Sequence, residues 1–145
     1  MQGMVLEKFG KSQSVIRSED VRFLTGHGAY VDDISPASAL VAYVLRAPVA
    51  HARIVALDLA EACACDGVHL VITAADLHAA GVALDMTAST VPNLDGSQGA
   101  APMRPLLAQD RVRFAGEAVA VVIAESLELA RDAAEQIMVD LESIL

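Results

Sequence analysis

The feature that most constrains this fold is an apolar segment joined through a capping residue to an amphipathic helix. Ala118 to Ala124 is among the longest apolar runs of the chain, which suits a buried strand. Ser126 follows in a good N-cap position, and apolar residues then recur at steps of three and four from Leu127 to Met138. The segment therefore predicts a buried strand followed by the clearest amphipathic helix of the chain.

The same order of strand, cap and helix occurs earlier in the sequence. Val68 to Ile72 predicts a strand, and Thr73 follows it as a helix cap. Asp76 stands three residues further on, as a capping box requires, and Gly81 is placed to end the short helix. Strand, cap and helix is thus a recurring unit of this chain.

The remaining segments complete an α+β pattern. Asp58 predicts the cap of a short helix over Leu59 to Cys65, with Glu61 in capping-box position. The nearly continuous apolar run within Ala39 to Arg46 is typical of a strand buried on both faces. Further strands are predicted at Ala52 to Leu57, Arg111 to Phe114 and Val139 to Leu145. The predicted fold class is α+β, a mixed sheet with short helices and one longer C-terminal amphipathic helix.

The chain is predicted to hold one domain behind a short arm. Residues 1–18 are polar and aperiodic, so we interpret them as an N-terminal arm and residues 19–145 as the domain. From Leu84 to Pro105 the composition shifts to small polar residues, glycine and proline, which predicts one long surface loop. The last predicted strand stops at the chain end without a turn, which indicates a truncation.

Composition and charge exclude several classes of protein. The hydrophobic fraction is 54%, with three Phe, two Tyr and no Trp, so we expect an aliphatic core. A formal charge of −9 argues against nucleic-acid binding, which needs clustered Lys and Arg. No apolar run reaches the roughly 18 residues typical of a membrane span. The N-terminus lacks a secretory signal, so a cytoplasmic location is expected.

No motif for catalysis or metal binding stands out. A metal site would need Cys63 and Cys65 to converge with at least two of the four scattered histidines; otherwise these cysteines are small helix residues. No serine lies in a nucleophile elbow, and residues 26–28, GHG, lack the third glycine of a dinucleotide fingerprint. The residues by themselves support a domain without a self-contained active site.

Three charged residues near the start are candidates for contact with another domain. Arg17, Glu19 and Asp20 lie close together in the sequence, beside Arg22. Charged groups that are dense at a turn need partners, which favours an interface. The alternative is a solvated network of ion pairs that contributes little to stability.

Five further candidates flank two turns between predicted strands. Arg46, His51 and Arg53 surround a corner that contains a proline, where polar groups either face a cleft or satisfy loop carbonyls. Gly116 and Glu117 precede the buried strand, where a glycine permits close approach by another segment or forms a bulge. Sequence alone leaves both pairs of alternatives open.

Two ordered segments resemble the opening of the large subunits of carbon monoxide dehydrogenase, aldehyde oxidase and xanthine dehydrogenase. They are residues 17–33, RSEDVRFLTGHGAYVDD, and residues 45–54, LRAPVAHARI. Shorter segments resemble that family in the same order and spacing: 67–68 (GV), 73–77 (TAADL), 110–117 (DRVRFAGE), 119–122 (VAVV) and 130–134 (ARDAA). The resemblance covers nearly the whole chain. His27, where a basic Arg or Lys is usual, and Ala118, where Pro is common, depart from it.

The resemblance implies an α/β hammerhead fold, the first domain of a molybdenum hydroxylase subunit. It implies a molybdenum-pterin cofactor on downstream domains, with iron-sulfur clusters and FAD on partner domains or subunits. It transfers no catalytic, cofactor-binding or metal-binding residue to this chain. We therefore expect a structural and interaction domain that packs on the cofactor domains and helps shape the substrate approach.

Two other functions stay open at this point. The first is a free-standing module that binds a small molecule or protein through the long loop and the His51 corner. The second is a self-contained hydrolase, which the sequence supports least because no nucleophile is paired with a base. If the chain is a piece, self-association through apolar surface normally covered by neighbouring domains is also expected.

Overall fold

The computed structural model describes residues 17–86 and 91–144. These described residues divide between two compact units, whose bounds are Met1–Ala37 and Ser38–Leu145. In the first unit, helix α1 spans Asp20–Leu24, and the chain then turns at Gly26, whose φ is +75°. Val31–Asp33 then form a 3₁₀ turn. The Asp33 carboxylate accepts a hydrogen bond from the Tyr30 N–H at 2.8 Å, which stabilises that turn.

The second unit carries eight strands and three helices in its described part. In chain order they are β1 (Val41–Arg46), β2 (Ala52–Asp58), α2 (Ala60–Ala64), β3 (Val68–Thr73), α3 (Ala74–Ala79), β4 (Asp85–Met86), β5 (Arg104–Pro105), β6 (Arg111–Val112), β7 (Ala118–Ala124), α4 (Leu127–Glu135) and β8 (Met138–Ser143). The α+β class is confirmed. The boundary of the predicted arm at residue 18 stays a prediction.

The strands form two three-stranded sheets and one small hairpin. The orders are β1-β7-β3, β6-β2-β8 and β4-β5. Every strand pairing in the described part of the chain is antiparallel. A mixed sheet, with parallel as well as antiparallel pairs, is therefore not what these strands form. Apolar runs predict that strands exist, whereas the direction of pairing depends on which strands meet in three dimensions.

The principal core lies between the first sheet and α4. Ala130, Ala133 and Ala134 of α4 are buried against Val122 and its neighbours in β7. Their short side chains let the helix backbone approach the sheet closely. A second cluster around Val112 and other small apolar residues lies beside the second sheet. The buried apolar residues are Ala, Val, Leu and Ile, which confirms the aliphatic core.

Side-chain caps stand at the starts of α3 and α4. The Ser126 hydroxyl accepts a hydrogen bond from the Leu129 N–H at 3.3 Å, as predicted for the start of α4. Thr73 and Asp76 form the predicted capping box of α3. At α2, the Asp58 carboxylate accepts from the Ala60 N–H at 3.0 Å, but Glu61 forms no such box because Leu59, not Asp58, is the N-cap residue.

Several bounds differ from the prediction; β6, for example, ends at Val112 and not at Phe114. Helix α4 ends at Glu135, so Ile137 and Met138 lie outside it despite their helical spacing, and Met138 pairs with Asp58 as the first residue of β8. Strand pairing with β2 therefore overrides helical periodicity there. The segment Leu84 to Pro105 is not a plain loop, since β4 pairs with β5 and a bridge joins Pro92 to Gln98. Residues 87–90 of that segment lie outside the described residues.

Candidate functional site

Three of the predicted contact residues meet where β1 ends and β7 begins. The Arg46 guanidinium donates a hydrogen bond to the Gly116 carbonyl at 2.8 Å. The Gly116 N–H donates to the Ala47 carbonyl at 2.8 Å, and the Ala47 N–H donates to the Glu117 carbonyl at 2.9 Å. We call Arg46, Ala47, Gly116 and Glu117 the strand corner. Its hydrogen bonds fasten two segments that are about seventy residues apart in sequence.

Gly116 is required by the backbone conformation of this corner. Its φ is +90°, a region that side chains strongly disfavour, and a Cβ built there would meet no atom within 4 Å. The glycine is therefore explained by the turn, not by close approach of another segment within this chain. The register of β1 and β7 also shifts between Leu45 and Arg46, so the predicted alternative of an irregular, bulge-like geometry describes this end of the pairing.

Glu117 is a buried charged residue whose partners lie in the same short segment. Glu117 is 4% exposed, and its carboxylate accepts a hydrogen bond from the Arg113 N–H. The Arg113 guanidinium lies 3.7 Å from the other carboxylate oxygen. Buried charge is tolerated when it is both paired and hydrogen-bonded, and this carboxylate has both kinds of partner.

Asp110 extends this charged group towards solvent. Its carboxylate lies 3.1 Å from Nε of Arg111 and 3.6 Å from the guanidinium of Arg113. The hydrogen bond from Arg111 lowers the pKa of Asp110, and the positive charges of Arg111 and Arg113 lower it further. Arg113 and Asp110 were not among the predicted site residues. Arg113 and Glu117 are four residues apart with opposite charge, but this spacing indicates an ion pair only on a helix, and Arg111 to Phe114 was predicted as a strand.

His51 and Arg53 lie at the start of β2, on the second sheet. His51 is exposed in the turn before the strand, and its carbonyl accepts a hydrogen bond from the Ile144 N–H at 3.3 Å. Arg53 is paired in register with Arg111 on one side, and its guanidinium lies 3.7 Å from the Glu142 carboxylate on the other. In the described part of the chain no hydrogen bond or ion pair links either residue directly to the strand corner.

Arg17, Glu19 and Asp20 belong to the first unit. The Arg17 carbonyl accepts a hydrogen bond from the Asp20 N–H at 3.0 Å, and Glu19 is the N-cap residue of α1 without a side-chain capping bond. Within residues 17–86 and 91–144, no ion pair joins the charged side chains of this cluster. The solvated ion-pair network considered from the sequence is therefore not what the described residues form.

Three pockets of the second unit share Gln109 in their linings. One, of about 300 Å³, is lined also by His78 and Leu84, and another, of about 260 Å³, by apolar residues of β2 and α3. The third, of about 220 Å³, is bounded by Asp85, Asp110 and Arg113, among others. These pockets place the base of the β4-β5 hairpin next to the charged group that holds Glu117.

Among the residues the structure describes, no group of three or more His, Cys, Asp or Glu side chains is arranged to hold a metal ion. Cys63 is exposed, and Cys65 is half-buried with its thiol directed to the Glu61 carbonyl at 3.3 Å. His69 and Glu125 approach to 3.4 Å on the surface. No helix in the described ranges is long and apolar enough to span a membrane.

Comparisons with known proteins agree on one family. The family described as "Aldehyde oxidase and xanthine dehydrogenase, a/b hammerhead domain" matches residues 25–144. The nicotine 6-hydroxylase large subunit of Paenarthrobacter nicotinovorans is 42% identical over 132 residues, which are 90% of this chain and 15% of that protein.

Solved structures give the same result. Quinoline 2-oxidoreductase from Pseudomonas putida 86 matches with a TM-score of 0.80 and 42% identity, over 91% of this chain and 16% of that one. A Cu,Mo-CO dehydrogenase matches with a TM-score of 0.73 and 37% identity, over 90% and 15%. The chain thus spans about 15% of the length of these three relatives. It belongs to the α/β hammerhead domain family of the aldehyde oxidases and xanthine dehydrogenases.

Proposed function

We propose that this chain is a non-catalytic structural and interaction domain of a molybdenum hydroxylase large subunit. In this proposal it packs on the cofactor-binding domains and helps shape the approach of the substrate. The observation that carries the proposal is coverage: 90% of the chain matches, yet the match is only about 15% of a nicotine 6-hydroxylase large subunit. The greater part of such a protein is thus available to hold the reaction centre.

The chemistry of the described residues supports a structural role. The buried carboxylate of Glu117 is fully engaged by Arg113, and the guanidinium of Arg46 is bonded to a backbone carbonyl. These groups stabilise a turn, because their hydrogen-bonding capacity is directed at the chain itself. The molybdenum-pterin cofactor is accordingly assigned to downstream domains, where it would supply the hydroxylation chemistry.

The proposal includes partner subunits that carry iron-sulfur clusters and FAD, and a cytoplasmic location. Relatives whose names include "large subunit" or "large chain" support further, smaller subunits. For the contact residues, we propose that exposed members of the predicted set, Arg46, His51 and Arg53 with Arg17 and Glu19, face neighbouring domains or subunits. Within its own unit, Asp20 would support Arg17 and Glu19. In the other unit, Gly116 and Glu117 would support Arg46.

The first experiment is to purify the complete gene product that carries this chain and to assay bound molybdenum and pterin. Both are expected in stoichiometric amounts. A complete product that contains the family's downstream domains but binds neither would contradict the proposal.

A second experiment separates shaping of the substrate approach from catalysis. Arg53→Glu reverses an exposed charge beside Arg111, and Arg131→Glu does the same on α4 as a matched control. If the domain shapes the approach, Arg53→Glu raises KM in the metal-loaded enzyme and leaves kcat unchanged. A selective fall in kcat at constant metal content would contradict a non-catalytic role.

A second candidate function is a small-molecule binding module, favoured by the pockets that converge on Gln109. The pocket between Asp85 and Arg113 has both negatively and positively charged side chains in its lining. The neighbouring pocket beside β2 and α3 is lined mainly by apolar residues. Tight binding of a small molecule by the 145-residue chain, abolished by Gln109→Leu and not by Gln136→Leu, would support this function over the first.

A further inference from the structure

The first sheet, β1-β7-β3, has one face covered by α4 and another that is largely uncovered. Tyr43, Leu45, Val71 and Val122 pack into the core on the α4 side. Because successive residues of a strand point to opposite faces, their neighbours in sequence point away from α4. These neighbouring residues form the second face of the sheet.

Strand register places six aliphatic residues on this second face in two rows. Ile123 of β7 pairs with Ala42 on one side and Leu70 on the other. Val121 pairs in the same way with Val44 and Ile72. We call these residues the open aliphatic face: Ala42, Val44, Leu70, Ile72, Val121 and Ile123.

The open aliphatic face is accessible in this chain and carries no charge. Leu70 is 52% exposed, Ala42 is exposed, and the other four are half-buried. None of the six belongs to either hydrophobic core of the described residues. Contiguous apolar surface of this kind marks an interaction site when it occurs on a folded protein.

The strands themselves have the composition of strands that are buried on both sides. A strand with one solvated face alternates apolar and polar residues, whereas β7 is apolar at all seven positions. β1 is apolar at five successive positions before Arg46. On the face opposite α4, Val119 is covered by the second cluster and is 1% exposed, whereas the open aliphatic face beyond it has no cover among the described residues. The composition and the burial therefore disagree there, and a covering surface outside the described residues accounts for the difference.

We infer that the remainder of the large subunit covers the open aliphatic face, through an aliphatic surface of its own. This inference rests on the proposed function, because the occupant is the part of the subunit that lies outside this chain. The chain matches only about 15% of the length of the nicotine 6-hydroxylase large subunit and of quinoline 2-oxidoreductase. A covering partner within the same polypeptide is therefore available at high effective concentration. Apolar contact without charge is typical of such permanent interfaces.

Cysteine labelling of the complete gene product tests this inference directly. Leu70→Cys and Ala42→Cys place a thiol on each edge strand of the open aliphatic face. Val55→Cys on β2, at a position 56% exposed, is a reference matched to the 52% of Leu70. The rate of maleimide labelling at each site is measured by peptide mass spectrometry. It is then divided by the labelling rate of the same site in urea.

Both sites of the open aliphatic face are expected to react at least about tenfold more slowly than in the unfolded protein. The Val55→Cys reference shows how an exposed strand position reacts. If Leu70→Cys or Ala42→Cys reacts at nearly its unfolded rate, the inference is wrong. Protection that disappears when the protein is diluted to a monomer would assign the face to a second copy, and would also overturn it.

The outcome is separable from that of the proposed function, since labelling does not depend on bound metal. A metal-free product with protected Leu70→Cys would contradict the proposed function and leave this inference standing. A product that is loaded with molybdenum but reactive at Leu70→Cys would support the proposed function and contradict this inference.

Discussion

Removal of the Glu117 carboxylate is the perturbation whose effect follows most directly from the structure. The carboxylate is buried, accepts the Arg113 N–H and lies 3.7 Å from the guanidinium of the same residue. A hydrogen bond to a charged group contributes about 1.5–3 kcal/mol. The Arg113 side chain is 46% exposed, so we assign the ion pair no more than about 1 kcal/mol.

Glu117→Ala is therefore expected to lower the free energy of unfolding by about 1.5–4 kcal/mol. Glu142→Ala is the matched control, because the Arg53–Glu142 pair is more than 60% exposed on both sides and should contribute less than about 1 kcal/mol. Glu117→Gln keeps an acceptor for the Arg113 N–H and should fall between the two. Urea unfolding of the 145-residue chain, with the slope compared between variants, measures all three.

Equal effects of Glu117→Ala and Glu142→Ala would refute this reasoning. They would mean that the buried position and backbone hydrogen bond of Glu117 add nothing beyond a surface ion pair.

Three further predictions concern stability. Ala133→Leu places a large side chain between α4 and the sheet and should cost about 1–3 kcal/mol, whereas the exposed control Glu135→Leu should change the urea midpoint little. Hydrogen bonds from Thr73 lower the pKa of Asp76 below 3.8 in the folded chain. The ionised Asp76 carboxylate therefore stabilises the folded chain above pH 3.8, and this stabilisation is lost as the pH falls through the pKa of the folded state. Asp76→Asn should therefore flatten the acid limb of a stability-against-pH curve, and an unchanged limb would contradict this. Because Gly116 has a positive φ, Gly116→Ala should lower the free energy of unfolding by about 1 kcal/mol or more. Gly116→Asn should lower it by less, and thermal melts of the two variants measure the difference.

Much of the secondary structure could be predicted because its signals are local. The run Ala118 to Ala124 is β7 at the predicted bounds, and Ser126 and Thr73 cap the helices that follow them. A cap acts within three residues, so its effect is encoded in the adjacent sequence. The end of α4 was predicted too late, because pairing of Met138 with Asp58 is not a local interaction.

The candidate site was predicted only in part, for the same reason. Gly116 and Glu117 were singled out, and both lie in the strand corner. Their link to Arg46 spans seventy positions, and no sequence spacing predicts such a contact. Arg113 was overlooked although it lies four residues from Glu117, because nothing in the sequence indicates that the carboxylate is buried.

The sequence by itself determined the α+β class, the aliphatic core, the main caps and, through ordered motifs, the family. These depend on periodicity, composition and short-range hydrogen bonds, which are properties of neighbouring residues. Only the tertiary structure decided that the described sheets are antiparallel, that Glu117 is buried against Arg113, and that one face of β1-β7-β3 is left open. Those features arise from contacts between distant segments, whose free energy depends on how the whole chain packs.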